Sequence, residues 1–273
     1  MKWAMLAAAV ALTAFSVPSV SPDEYPTEWK NKGVGKTYVL YRKHDVEEMS
    51  QGPVGSCVGC SMAKALELMH GTKFSAEWCY GISRKHFNEH TSPYAGSFCG
   101  WAAQAMRDVG AVPCLNYSLL DIDLREYNAG TAKRFERGPP ESLEVIADAM
   151  KIGGFHQIET WEELRDAIAT GHPVVVGSNV GFGKPGKCVR DKTGILRSQW
   201  WSKWGHAMVF CGVSDGRSKR ALILNSWGKD WVRGPKWLGD EPDGSFWVTK
   251  SDAQKMIAQG DAFAILPIPG LAR

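Results

Sequence analysis

Near Gly171 the chain changes its hydrophobic period. Before that point the apolar residues follow helices. Met62, Ala65, Leu66 and Met69 recur at three and four within 57–70, the spacing of one helix face. Ser75 is placed to cap a second helix in 73–85, and SFCGWAAQAMRDVG (97–110) reads as a third, stopped by Gly110. SLEVIADAMKI suits a short helix. TWEELRDAIATG (160–171) carries Thr160 with Glu163 three residues on, the pairing of a capping box. After Gly171, PVVVGSNV, HAMVFCGVSD, ALILNSW and GSFWVTK are short, apolar and β-branched, with Gly and Asp between them, and predict strands. One earlier piece, TYVLY at 37–41, is also strand-like, whereas 118–141 has no clean period and is broken by GPP at 138–140. Helices first and strands later imply an α+β chain with two segregated halves.

The length of 273 residues suits one large domain or two lobes sharing a core. A formal charge of +3, spread over scattered residues such as Arg84, Lys85, Arg134 and Lys219, argues against a nucleic-acid partner. The N-terminus, MKWAMLAAAVALTAFSVPSVSPDEY, places Lys2 before an apolar run from Trp3 to Phe15, followed by small residues and Pro18. This is the layout of a signal peptide over 1–20, with a run short for a membrane span; an uncleaved anchor or a hydrophobic first helix are the alternatives. Export predicts a secreted or periplasmic protein with no stable membrane association after cleavage. Seven cysteines, an odd number, leave at least one thiol outside any intramolecular pairing.

Two of those cysteines stand in QGPVGSCVGC (51–60), behind a glycine-rich turn and ahead of the first helix. A helix N-terminus favours thiolate, because its unpaired N–H groups and dipole stabilise negative charge. Cys57 lies at that point. Cys60, one turn further in, is expected to pack in the core. A redox CxxC also starts a helix with its first cysteine, so the motif alone does not choose between a nucleophile and a dithiol. A cysteine hydrolase further needs a base and a group to orient it. His206 begins the strand-like HAMVFCGV and Asn225 ends ALILN, so neighbouring antiparallel strands would set them side by side. His172, between Gly171 and Pro173, reads as a solvated turn residue. His86 and His90 share an i,i+4 spacing but have no cysteine at metal-ligand distance in sequence, and no metal or cofactor is called for.

QGPVGSC (51–57), GHA (205–207) and NSWG (225–228), in this order, resemble the motifs of papain-like cysteine peptidases. FS at 74–75, GS at 96–97, GHPVVVG and GSFWVTK are secondary matches, and the resemblance spans roughly 35–266. It implies a single two-lobed papain-like domain over 21–273, with a helical lobe at about 51–125, an antiparallel β-barrel-like lobe at about 145–266 and the active site between them. It also implies roles. Cys57 would be the nucleophile, His206 its imidazolium partner, and Asn225 the residue orienting His206, with Trp227 shielding that hydrogen bond. Gln51, six residues before Cys57, would supply an oxyanion-hole amide with the Cys57 N–H. Gly96 and Ser97 resemble the glycine wall that pairs with substrate backbone. The expected partner is a protein or peptide substrate, and the expected state a monomer.

The chain departs from the papain pattern where the common disulfide cysteine three before the nucleophile is Val54, and where the aromatic residue after the nucleophile is Val58. It is closer in these respects to bacterial, phage-borne and bleomycin-hydrolase-related branches. About thirty residues separate the expected cleavage site from Gln51, which predicts no independently folded inhibitory prodomain. The same catalytic set would serve an amidase or acyltransferase acting on isopeptide or cell-wall amides, and the fold also suits a silent binding module. A CxxC redox protein would leave His206 and NSWG unexplained. The segment 181–204, with several Lys and Arg, reads as a solvated loop, and Trp200, Trp201 and Trp204 beside Trp227 suggest a walled cleft or a dense core.

Overall fold

The computed structural model describes residues 20–41, 46–183, 187–199 and 205–271. The expected signal peptide (all but its last residue), Trp200, Trp201, Trp204 and parts of the 181–204 segment lie outside the described residues. The helices are α1 (Cys57–His70), α2 (Ala76–His86), α3 (Cys99–Asp108), α4 (Ala129–Phe135), α5 (Glu144–Asp148), α6 (Trp161–Ala169) and α7 (Lys250–Ile257). The strands are β1 (Thr37–Val39), β2 (Asn116–Tyr117), β3 (Ile122–Asp123), β4 (Phe155–Gln157), β5 (Val174–Ser178), β6 (Cys188–Val189), β7 (His206–Ser214), β8 (Arg220–Leu224), β9 (Val232–Arg233), β10 (Phe246–Thr249) and β11 (Ala262–Ile265).

The local signals act as chemistry dictates. Ser75 accepts from the Trp78 N–H at the start of α2, and Thr160 and Glu163 form the reciprocal capping box of α6. Gly110 follows α3 at φ +108°, a left-handed conformation that glycine adopts without Cβ strain.

The main sheet is antiparallel, in the order β10-β8-β7-β5-β11-β4. Strand β7 organises it. One edge pairs with β8, while the other pairs with β5 over 206–210 and with β1 over 212–214. A bulge between Phe210 and Gly212 shifts the register. Side chains alternate between two apolar clusters: Val175, Ala207, Val209, Leu222, Trp247 and Phe263 face one, and Val174, Met208, Phe210, Ile223, Phe246 and Ala264 the other. Helices α1 and α3 cover the first face, and α6 and α7 the second. With both faces buried, the strands read in sequence as nearly continuous apolar runs. Among the described residues the sheet does not close: it is open, with β10 and β4 at its ends, where a barrel-like lobe was expected. No helix among the described residues is long and apolar enough to cross a membrane.

Candidate active site

Strand pairing and one helix start assemble the site. Cys57 is the first residue of α1 and is partly exposed, whereas Cys60 is fully buried beneath it. The turn before it is tight. A Cβ on Gly55 would stand 3.1 Å from the Ala95 Cβ and 3.3 Å from the Gly96 nitrogen, so the nucleophile loop lies against the 95–97 segment. Ser56 precedes the helix without capping it. The Tyr127 hydroxyl donates to the Gln51 carbonyl at 3.0 Å, so in its 2.7 Å contact with Ser56 it is the acceptor. The backbone N–H of Ala207, the residue after His206, favours the charged form of the Cys57 thiol.

His206 is buried at the start of β7, and its Nε2 lies 2.6 Å from Asn225 Oδ1, at the end of β8. The same Asn225 atom accepts from the Ser226 N–H at 2.8 Å, which identifies it as the oxygen. Nε2 therefore carries the proton, and Nδ1 is the basic nitrogen of the neutral ring. Trp227 stacks on the imidazole with ring centres 4.5 Å apart at 26°, and Trp231 meets Trp227 edge-on at 5.2 Å. The two indoles thus lie beside the His206–Asn225 pair.

The 49–51 segment runs against 226–228. The Gln51 N–H donates to the Ser226 carbonyl at 2.9 Å, and the Gly228 N–H to that of Met49 at 2.9 Å. The carboxamide of Gln51 is held at both ends: Oε1 accepts from the Ser226 hydroxyl at 2.6 Å, and Nε2 donates to the Val54 carbonyl at 2.9 Å. One Nε2–H remains for a further acceptor.

Burial dominates the electrostatics. It pushes the Cys57 thiol up, against the lowering effect of the N–H groups of Ala207, Val58 and Cys57 itself, and the buried Asp261 carboxylate pushes in the same direction as burial. Burial also brings the His206 imidazole down to about 4, partly offset by Asn225. Burial thus biases each group toward its neutral form.

No family model and no curated protein matches this sequence. Solved structures do. Xylellain, a cysteine protease from Xylella fastidiosa, superposes over 91% of this chain and 92% of its own, with a TM-score of 0.63 at 19% identity. The digestive procathepsin L 3 of Tenebrio molitor larval midgut covers 90% of this chain and 73% of its own, with a TM-score of 0.58 at 15% identity. The bromelain protease from Ananas comosus covers 86% of this chain and 100% of its own, with a TM-score of 0.56 at 12% identity. The chain has the papain-like fold.

Within the papain-like fold, the residues singled out in sequence fall into two groups. Cys57, His206, Asn225, Gln51 and Trp227 converge as described. Gly96 and Ser97 border the Cys57 loop, but the N–H and C=O of Gly96 both turn inward, to the Tyr80 hydroxyl at 3.0 Å and the Arg84 guanidinium at 2.5 Å. Both backbone groups of Gly96 are therefore already engaged within the protein, whereas those of Ser97 make no hydrogen bond among the described residues.

His172 is a turn residue but not a solvated one. It stacks on Trp29 at 4.2 Å, bonds Thr170 Oγ1 through Nδ1 at 3.1 Å, and burial brings it down to about 4. His86 ends α2 and bonds Asp108 at 3.0 Å, while His90 sits in a separate 3₁₀ turn, so the two share no helix face. Ser226, Tyr127, Tyr80 and Arg84 were not legible as site residues. Ser226 stands inside NSWG, the only one with a usable signal, and Arg84, counted in sequence only among scattered basic residues, is buried.

Proposed function

We propose that the protein is a cysteine peptidase that hydrolyses peptide bonds through a thioester on Cys57. The observation that carries this is the thiol at the α1 N-terminus within a papain-like fold that also holds His206 oriented by Asn225. The thiol proton passes to His206 Nδ1 as sulfur attacks the scissile carbonyl carbon. The oxygen of the tetrahedral intermediate gathers negative charge, which the remaining Gln51 Nε2–H and the Cys57 backbone N–H stabilise. The C–N bond breaks as His206 Nδ1–H protonates the departing amine. Water then attacks the thioester, giving its proton to His206, and the C–S bond breaks. Sulfur recovers its proton and the carboxylic acid leaves.

The sequence supports three further parts of this reading: a protein or peptide substrate, action as a monomer, and export to the periplasm or exterior with removal of residues 1–20. A peptide-library digest by wild type and Cys57→Ala, followed by mass spectrometry, tests the activity. Cleavage by the wild type alone is expected. Transfer of the acyl group to added amines in preference to water would replace hydrolysis with acyl transfer. N-terminal sequencing of the exported protein tests the leader: a mature chain that still begins at Met1 would exclude its removal.

A further inference from the structure

One face of α2 grips the loop that borders Cys57. Tyr80, Ser83 and Arg84 stand at i, i+3 and i+4, so their side chains share that face. Arg84 is 2% exposed, and each hydrogen bond of its guanidinium goes to a backbone carbonyl: Glu136 at 3.1 Å, Gly96 at 2.5 Å, Glu89 at 2.5 Å and Ser92 at 3.4 Å. Three of these acceptors lie in 89–96. The Tyr80 hydroxyl accepts from the Gly96 N–H at 3.0 Å and donates to Glu136 Oε2 at 2.8 Å. Ser83 Oγ donates to the Tyr80 carbonyl at 2.8 Å, so in its 2.8 Å contact with Ser97 Oγ it is the acceptor. Gly96 is thereby tied at both peptide groups and Ser97 by its side chain. The backbone N–H and C=O of Ser97 make no hydrogen bond among the described residues, and Ser97 is only partly buried. Gly96 has φ +105°, with nothing within 4 Å of an added Cβ, so it is the turn and not packing that requires glycine there.

We infer that Tyr80, Ser83 and Arg84 are positioning residues: they tie down both backbone groups of Gly96 and the Ser97 side chain, and so hold the Ser97 peptide open as the edge on which the acyl-side backbone of a peptide substrate docks. Val54, which stands in place of a disulfide-forming cysteine, shares a small apolar cluster with Tyr80 and Ala132. An extended peptide offers one N–H and one C=O per residue in the geometry of a β-edge, matching the two unpaired groups of Ser97. A free peptide group misaligned by a loosened loop would lose those bonds without disturbing Cys57, His206 or Asn225. This inference rests on the peptidase reading above.

The test compares wild type with Tyr80→Phe and Ser83→Ala, each in the full-length protein. Two substrates are used: a peptide cleaved by the wild type, and the same peptide N-methylated at the residue second from the scissile bond on the acyl side. Methylation removes the donor that would meet the Ser97 carbonyl. It should cost the wild type about tenfold in kcat/KM, the loss expected for one hydrogen bond. Tyr80→Phe should lose a similar factor on the parent peptide, carried by KM, and lose little more on methylation. The rate of Cys57 alkylation by iodoacetamide should not change. Ser83→Ala should shift KM in the same direction.

Unchanged KM in both variants, or equal losses on both substrates, would overturn the inference and leave the peptidase reading intact. A slowed alkylation rate would overturn it as well, by showing general disorder of the site. A wild type that cleaves no peptide while Cys57 is still alkylated would overturn the peptidase reading, and this inference with it.

Discussion

Desolvation at a site where His206 is buried and Cys57 partly exposed bears on how Cys57 becomes a nucleophile. Because His206 is brought down to about 4 and the Cys57 thiol is pushed up, the neutral pair spans a wide pH range. kcat/KM should therefore hold well below the ordinary imidazole range and fall only as pH drops through about 4, when His206 arrives protonated; a pH–rate profile on one peptide checks this. An acid limb near 6.5 would show that His206 is solvated in the free enzyme. The same residues predict an order of losses. Cys57→Ala should abolish covalent turnover and His206→Ala should lie close to it, while Asn225→Ala keeps a measurable residue of activity. Gln51→Ala should cost on the order of a hundredfold in kcat with little change in KM, as for one oxyanion donor. Steady-state kinetics on folded variants, confirmed by circular dichroism, measures all four. Iodoacetamide should label Cys57 first, since Cys60, Cys79, Cys99, Cys188 and Cys211 are buried, and Cys114, pushed up to about 12, lacks the helix N-terminus that favours thiolate at Cys57.

Among the elements, α1 carries the most constraint, because it presents Cys57 at one end and packs against α2 and β7 along its length. Gly59 is the point of closest approach. A Cβ there would lie 2.2 Å from the Ala76 carbonyl oxygen and 2.7 Å from the Tyr80 Cβ. Gly59→Ala must push α2 away, so it should destabilise the protein by roughly 2–3 kcal/mol. Displacing α2 also loosens its grip on Gly96. Cys60→Ala removes one buried sulfur without steric conflict, so a smaller loss of about 1 kcal/mol is expected, with turnover retained. Urea denaturation of both variants checks the order. Loss of turnover in a folded Cys60→Ala protein would instead favour dithiol chemistry.

For the whole molecule, buried imidazoles couple stability to pH. His172 against Trp29 is brought down to about 4, His206 likewise, and burial also lowers His70, which accepts from the Ile268 N–H at 3.1 Å and bonds the Leu271 carbonyl through Nδ1 at 3.0 Å. Each of these groups is held neutral in the fold and takes up its proton more readily when unfolded. Their contribution is complete above about 6.5, the ordinary imidazole value, and is lost as pH falls toward the folded values. The melting temperature should thus decline from pH 7 to pH 5, before the carboxylates held low, such as Asp108 and Asp215, begin to titrate. His172→Phe should flatten that decline, measured by thermal melts across the range. An unchanged slope would mean that His172 is solvated in the native state.

Much of this protein was legible in its residues one stretch at a time. The cap at Ser75, the capping box at Thr160 and Glu163, the helix beginning at Cys57 and the strands after Gly171 follow from short-range rules, because hydrogen bonds within a few residues and a repeating apolar face decide them. The pairing of His206 with Asn225 followed from two strand-like runs in succession. What lay beyond reach depends on contacts distant in sequence. Short elements such as α4, β4 and β11 carry too few residues to show a period, and it is tertiary pairing that forms them. Whether the sheet closed could not be read from alternation, since open and closed sheets bury the same faces. The burial that holds His172 and His206 neutral comes from Trp29, Trp227 and the packed core. The inward turn of both Gly96 peptide groups depends on Tyr80 and Arg84, which a local reading sees only as one aromatic and one of several scattered basic residues. Periodicity decides which side chains face inward, but only the assembled fold decides which of them meet.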